Sequence, residues 1–165
     1  MNLKLFPALL AALFLSVAGA EYVNKEYGFS ATPPKGWKQV DAPGVAVAFT
    51  APTSTAGFAT NVNVVVQPAS ADMSLQKYTV ATNAALKQVL TDYKLLGSRD
   101  ITLSGKPGKE LMFSGKQGKF TLYFIQNFTL SGGKVYGLTG TTLLKDKAVL
   151  TAPMATFSGG FKIKP

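Results

Sequence analysis

The chain has 165 residues, with 17 Lys and Arg against 8 Asp and Glu, no histidine and no cysteine. That length suits one ordinary domain of ~100–150 residues, and the 47% apolar content argues for a packed core rather than disorder. The missing side chains exclude a disulfide framework, a thiol nucleophile, a thiolate or imidazole metal site, and a His-Asp relay.

Residues Met1 to Ala20 read as a secretory signal peptide. Lys4 supplies the positive start, Leu5 to Val17 the apolar stretch, and Ala18-Gly19-Ala20 the small-x-small cleavage pattern, which places the mature start at Glu21. The apolar run falls short of the roughly 20 residues that a membrane span needs. The leader carries only Lys4, so residues 21–165, read as a single domain, hold 16 basic and 8 acidic side chains. No cysteine follows Ala20 for acylation, and no second apolar run has spanning length. The expectation is an exported, periplasmic or secreted monomer with no transmembrane span after cleavage.

In the mature chain, short alternating apolar runs are separated by Gly, Pro and Ser, the signature of strands and turns. Tyr27-Gly28-Phe29-Ser30 begins the pattern, and Pro33-Pro34-Lys35-Gly36 turns it before Trp37. A strand from Val45 to Thr50 closes at Pro52. From Asn61 to Gln67, Val62, Val64 and Val66 face one way, with Asn61, Asn63 and Gln67 on the other. Leu75, Tyr78, Thr82, Ala85, Leu86, Val89 and Tyr93 recur at helical spacing, predicting a helix over Ser74 to Tyr93 capped by Asp72 or Ser74, with Gly97 just beyond its end.

The second half reads as strands at Ser98–Leu103, Gly108–Ser114, Lys119–Leu130 and Lys134–Leu143. Gly115-Lys116-Gln117-Gly118 and Ser131-Gly132-Gly133 are the hairpin connections. Phe120, Leu122, Phe124, Phe128 and Leu130 share a core face interrupted by Gln126. A short helix follows from about Asp146 to Thr156, limited by Pro153, and Phe161 and Ile163 suggest a last strand. The whole is α+β: one mainly antiparallel sheet with one long helix and one short C-terminal helix.

Catalytic chemistry finds little support. The eight acids form no closely spaced pair, and most stand at turns or helix ends. Ser104-Gly105-Lys106 and Ser114-Gly115-Lys116 contain the residue types of a Ser-Lys dyad, but turn chemistry accounts for them. Gly105-Lys106-Pro107-Gly108-Lys109 lacks the spacing of a phosphate loop and opens a strand rather than a helix. No catalytic residue, metal site or cofactor is expected.

Five lysines, Lys106, Lys109, Lys116, Lys119 and Lys134, fall within 29 residues around the predicted turns, with only Glu110 to offset them. Clustered at one sheet edge, they would form a basic rim for an anionic partner. The alternative is that they protect strand edges from pairing with other chains. Arg99 is the one arginine, which argues against nucleic acid. The aromatic set Tyr22, Tyr27, Phe29 and Trp37 reads as closing one end of the core.

Tyr27-Gly28-Phe29-Ser30 leading through Pro33-Pro34-Lys35-Gly36-Trp37 resembles the opening stretch of the PsbP-like superfamily, which includes DcrB-like envelope proteins. The Asn61-Val62-Asn63-Val64 strand, the helix from Ser74, the Gly105-Lys106-Pro107-Gly108 turn and the Lys134-Val135-Tyr136-Gly137-Leu138-Thr139 strand extend the resemblance across residues 22–163. It implies an α/β/α sandwich with a central antiparallel sheet, and a non-enzymatic accessory role. The partner would be an unknown envelope protein; an anionic envelope polymer or lipid headgroup bound through the lysines is the alternative, and a hydrolase with a carboxylate pair formed on folding a third. The chain lacks the acylated cysteine of lipid-anchored DcrB-like members and any histidine for ion-linked roles of the photosystem subunit.

Overall fold

The computed structural model describes residues 20–164; the expected leader, short of Ala20, lies outside them. In chain order the elements are β1 (Tyr22–Asn24), β2 (Phe29–Ala31), β3 (Lys38–Val40), β4 (Val47–Thr55), β5 (Phe58–Pro68), α1 (Leu75–Val89), β6 (Thr91–Leu103), β7 (Lys106–Gln117), β8 (Phe120–Ser131), β9 (Lys134–Leu143), a 3-10 turn (Leu144–Asp146), α2 (Ala148–Gly159) and β10 (Lys162–Ile163). Seven strands form one antiparallel sheet in the order β3-β4-β5-β9-β8-β7-β6, and β1-β2-β10 form a small second sheet. The chain leaves the sheet after β5, crosses it as α1, and enters β6 at the far edge. A meander from β6 to β9 then returns to pair with β5. This is the expected α+β sandwich with a central antiparallel sheet.

Alternation on each strand divides the apolar residues between two cores. On one face α1 covers Leu111, Phe113, Leu122, Phe124, Phe128 and Val135. On the other, α2 and the small sheet cover Phe49, Val62, Val64, Ile125 and Leu138. β8 serves both, which explains why it carries apolar residues on both faces, Tyr123 and Ile125 on one and Leu122, Phe124 and Phe128 on the other. The N-terminal aromatics do close one end of the second core: Phe29 and Trp37 are buried, and Tyr22 and Tyr27 pack against them.

Helix α1 buries Tyr78, Thr82 and Leu86, at i, i+4 and i+8. Ser74 is its cap, the Oγ accepting from Lys77 N at 3.1 Å. The helix ends at Val89, four residues short of the expected Tyr93. Leu90 is extended, and Thr91 already pairs with Lys116 on β7. Sheet pairing therefore overrides the helical periodicity there. Tyr93, on the strand, donates from its hydroxyl to Asn83 Oδ1 of the helix. Gly97 lies inside β6 at a register shift rather than after a helix.

Three further expectations are corrected. β4 continues through Pro52 to Thr55, because the ladder to β5 is interrupted between Thr50 and Ser54 and β3 pairs no further than Thr50. Pro52 thus sits where no ladder N–H is required. The β7–β8 turn is Gly118-Lys119; Gly115 lies within β7, where a Cβ would stand 2.8 Å from Leu90 Cβ, so it is a close-approach glycine. α2 runs on to Gly159 with Pro153 inside it. The carbonyl that Pro153 leaves without a donor belongs to Val149, which is exposed.

Candidate functional site

The lysine positions follow from the sheet register. Lys106 opens β7 and Lys134 opens β9; Gly108 pairs with Thr129 and Ser131 with Lys134, so Lys106, Lys109 and Lys134 share one end of the sheet. Lys116, next to last in β7, stands ten residues after Lys106, about 33 Å away at ~3.3 Å per residue. Lys119 lies in the adjoining turn, its Nζ 5.2 Å from the centroid of the Phe120 ring. The single basic cluster expected from sequence is therefore two separate groups, because an antiparallel strand carries its ends to opposite rims. Acids also sit closer than expected: Lys109 Nζ lies 2.6 Å from Asp100 Oδ1, and Lys116 Nζ lies 2.7 Å from Asp92 Oδ2. The Lys116 hydrogen bond and charge hold the Asp92 carboxyl below the usual carboxylate range. Glu110 offsets none of the lysines, since its partner is Arg99.

Neither Ser-Lys pair forms a dyad. Ser104 occupies the β6–β7 turn with φ 53°, and its Oγ accepts from Ile163 N at 2.8 Å, fastening β10 to the main domain. Ser114 is buried within β7 rather than at a turn.

A half-enclosed polar site brings together residues that are far apart in the sequence. β6, β7 and β8 extend beyond the part of the sheet that α2 covers, and a cavity of about 320 Å³ lies between them and the helix. Arg99 pairs with Glu110 across β6 and β7, and Glu110 with Asn127 across β7 and β8, so the three share one row on this face. Arg99 Nε donates to Glu110 Oε1 at 2.6 Å; the arginine side chain is 66% exposed and the glutamate 10%. Ile101, Met112, Ile125 and Met154 supply apolar walls.

Asn127 is 4% exposed, and its amide orientation is set by its partner. Ser158 donates its hydroxyl proton to the Met154 carbonyl at 2.8 Å, so its oxygen can only accept from Asn127 Nδ2, also at 2.8 Å. Asn127 Oδ1 is left buried with no donor among the described residues. Tyr123 lines the same cavity; burial, then the Glu110 charge, raises its hydroxyl pKa above the ordinary tyrosine value. The sequence did hold a signal: Glu110 is an acid inside a predicted strand, and Asn127 stands beside Gln126 in the middle of the apolar Lys119–Leu130 strand. Only the register shows that they meet.

A second, shallower groove of about 570 Å³ lies at the Lys119 end of the sheet. Phe120, Leu143 and Leu144 form its apolar floor, with Lys119 and Lys145 beside them. Among the described residues no group of three or more acids could hold a metal ion, and no helix is long and apolar enough to cross a membrane.

Comparison with known proteins agrees with the fold. No curated protein matches the chain in sequence. The cyanobacterial PsbP protein (CyanoP) of Synechocystis sp. PCC 6803 superposes with a TM-score of 0.65 at 18% identity, over 94% of this chain and 98% of that one. LpqN of Mycobacterium tuberculosis, a protein involved in cell envelope biogenesis, gives 0.68 at 14% identity over 88% and 90%. PA94 of Pseudomonas aeruginosa, a protein of unknown function, gives 0.59 at 18% identity over 86% and 96%. The DcrB family model matches residues 44–148, from just before β4 to the start of α2. With that match spanning most of the sheet and all of α1, the chain belongs to the DcrB family.

Proposed function

We propose that this protein is an exported, non-enzymatic accessory protein of the bacterial cell envelope that docks onto a protein partner. DcrB membership and the similarity to LpqN support the envelope setting. The lack of histidine and cysteine, and the pairing of Glu110 with Arg99, support a non-catalytic role.

The observation that carries the docking reading is β6. It is one of the two outer strands of the sheet, thirteen residues long, and exposes Leu95 and Leu96 beside Lys94, Arg99 and Lys116. Exposed leucines amid basic groups suit a partner surface that is apolar at its centre and acidic at its rim. The register shifts in β6 and the left-handed Asp92 interrupt regular pairing, which disfavours strand addition by another copy of this chain. Docking therefore uses side chains. The five lysines join it as two groups, Lys116 and Lys119 at one end and Lys106, Lys109 and Lys134 at the other.

The test is capture of envelope proteins by the wild type, by L95D/L96D, and by the charge reversals K116E/K119E and K106E/K134E. Loss of the same captured protein in L95D/L96D, and weaker, less salt-sensitive capture in one reversal pair, is the expected result. Identical capture by all four proteins would remove β6 and the lysines from the interface.

The Lys119 groove favours a second reading, direct binding of an anionic amphiphile such as a lipid headgroup with part of its chain. Cosedimentation with anionic vesicles, abolished by K119E/K145E and by high salt, distinguishes it. Equal sedimentation with neutral vesicles would refute it.

A further inference from the structure

We propose that the cavity between α2 and strands β6–β8 binds a primary ammonium group carried on a short apolar stem. Arg99 borders both this cavity and the β6 surface, but the proposal rests on Asn127 and Glu110 and stands without the docking reading.

The argument begins with unmatched acceptors. Asn127 Oδ1 is buried without a donor, and the network through Ser158 prevents the amide from turning to relieve it. A buried acceptor left without a donor costs roughly 1–3 kcal/mol, so a ligand that donates to it has a favourable interaction waiting. Directly opposite stands Glu110, whose Oε1 takes the Arg99 Nε while no described residue donates to its other oxygen. Two acceptors on adjacent strands, one of them charged, match a group that carries several N–H donors on one positive centre. An ammonium ion has three donors and no acceptor.

An anionic ligand fits poorly. Asn127 Nδ2 is already used by Ser158, and the Arg99 charge is balanced by Glu110 at 2.6 Å, so an incoming anion would meet a carboxylate and an amide oxygen. The walls call for an apolar stem: Ile101, Met112, Ile125 and Met154 surround the polar row, and methionine adapts to varied shapes. At about 320 Å³ the cavity lies at the small end of the range for ligand pockets, ~300–1,000 Å³. That is room for a short alkyl or aryl amine. Arg99 acts as the resident competitor. Its side chain is two-thirds exposed and holds Glu110 through one nitrogen, so an entering ammonium can displace it at little cost.

Two sources share this chemistry: a free small amine, and a lysyl side chain of a bound protein. The experiment is titration of the protein with butylammonium, followed by the Asn127 side-chain amide and Ser158 backbone NMR signals, with butanol and butyrate as controls. Saturable shifts at both positions are expected with butylammonium alone. Glu110→Gln removes the charge while keeping the shape, and should weaken binding at least about tenfold. Arg99→Gln removes the competitor and should tighten it. The localised shifts at Asn127 and Ser158 separate the proposal from general electrostatics, and Arg99→Gln remains informative even if Glu110→Gln fails to fold. A capped lysine that binds as tightly as butylammonium identifies a partner's lysyl side chain as the ligand source; a capped lysine that fails while butylammonium binds identifies a free amine. Absence of localised shifts with butylammonium, equal binding of butyrate, or weaker binding in Arg99→Gln would overturn the assignment.

Discussion

Glu110 and Asn127 stand directly opposite each other on β7 and β8, and each has a side-chain oxygen that no described residue donates to. A glutamate and an asparagine in the middle of a sheet face are expensive to bury. Here the cost is met in part by Arg99 and Ser158, and the remainder falls beside a cavity.

Removing Arg99 should expose that cost. Arg99→Ala leaves the largely buried Glu110 carboxylate without its cation. Because the arginine is mostly in solvent, the loss should be modest, about 1 kcal/mol. Urea denaturation at neutral pH checks this, and the double variant Arg99→Ala/Glu110→Gln should recover much of the difference.

Gly140 on β9 allows α2 to sit close to the sheet. A Cβ at this position would lie 2.9 Å from Leu150 Cδ1 and 3.0 Å from Met154 Sδ. Gly140→Ala should therefore destabilise the fold by about 1–3 kcal/mol, seen as a lower denaturation midpoint with an unchanged slope.

The cap of α1 is a local and separable contribution. Ser74→Ala removes the acceptor for Lys77 N and should cost about 1 kcal/mol. Ser74→Asp should retain most of the stability, and thermal melts of the three proteins compare them.

Acid sensitivity should have a component at the same corner. Hydrogen bonds from Lys77 and Ser70, with the Lys77 charge, lower the Asp72 pKa from 3.8 to about 2. A folded-state pKa below the unfolded one adds stability above pH 3.8, and that contribution is lost as pH falls toward about 2. Melting temperatures of the wild type and Asp72→Asn should differ near neutral pH and converge across this interval. A constant gap at every pH would show that the Asp72 charge adds nothing. Asp92 acts in the same direction through Lys116.

Much of the fold was legible in local pattern. Alternating valines marked β5, the Gly132-Gly133 pair marked the β8–β9 hairpin, and helical spacing with Ser74 marked α1. The failures share a cause. Val89 and Tyr93 fit a helical stripe, yet β7 required a neighbour and drew the chain from Leu90 onward into β6. Gly115 resembled a turn residue until Leu90 was packed against it. Pro52 resembled a terminator until the ladder was seen to skip it.

The same division holds for function. By itself the sequence excluded thiol and imidazole chemistry, since absent histidine and cysteine are facts of composition and need no fold. It also determined the strand periodicity and the cap, because both depend on residues a few positions apart. Only the tertiary structure decided which charges meet. Strand order sent Lys106 and Lys116 to opposite rims and matched Lys109 and Lys116 with Asp100 and Asp92. Register brought Arg99, Glu110 and Asn127, scattered over 29 residues, into one row beside a cavity. Electrostatic and hydrogen-bond energies fall off within a few ångströms, and distance along the chain says little about distance in space once a sheet has formed.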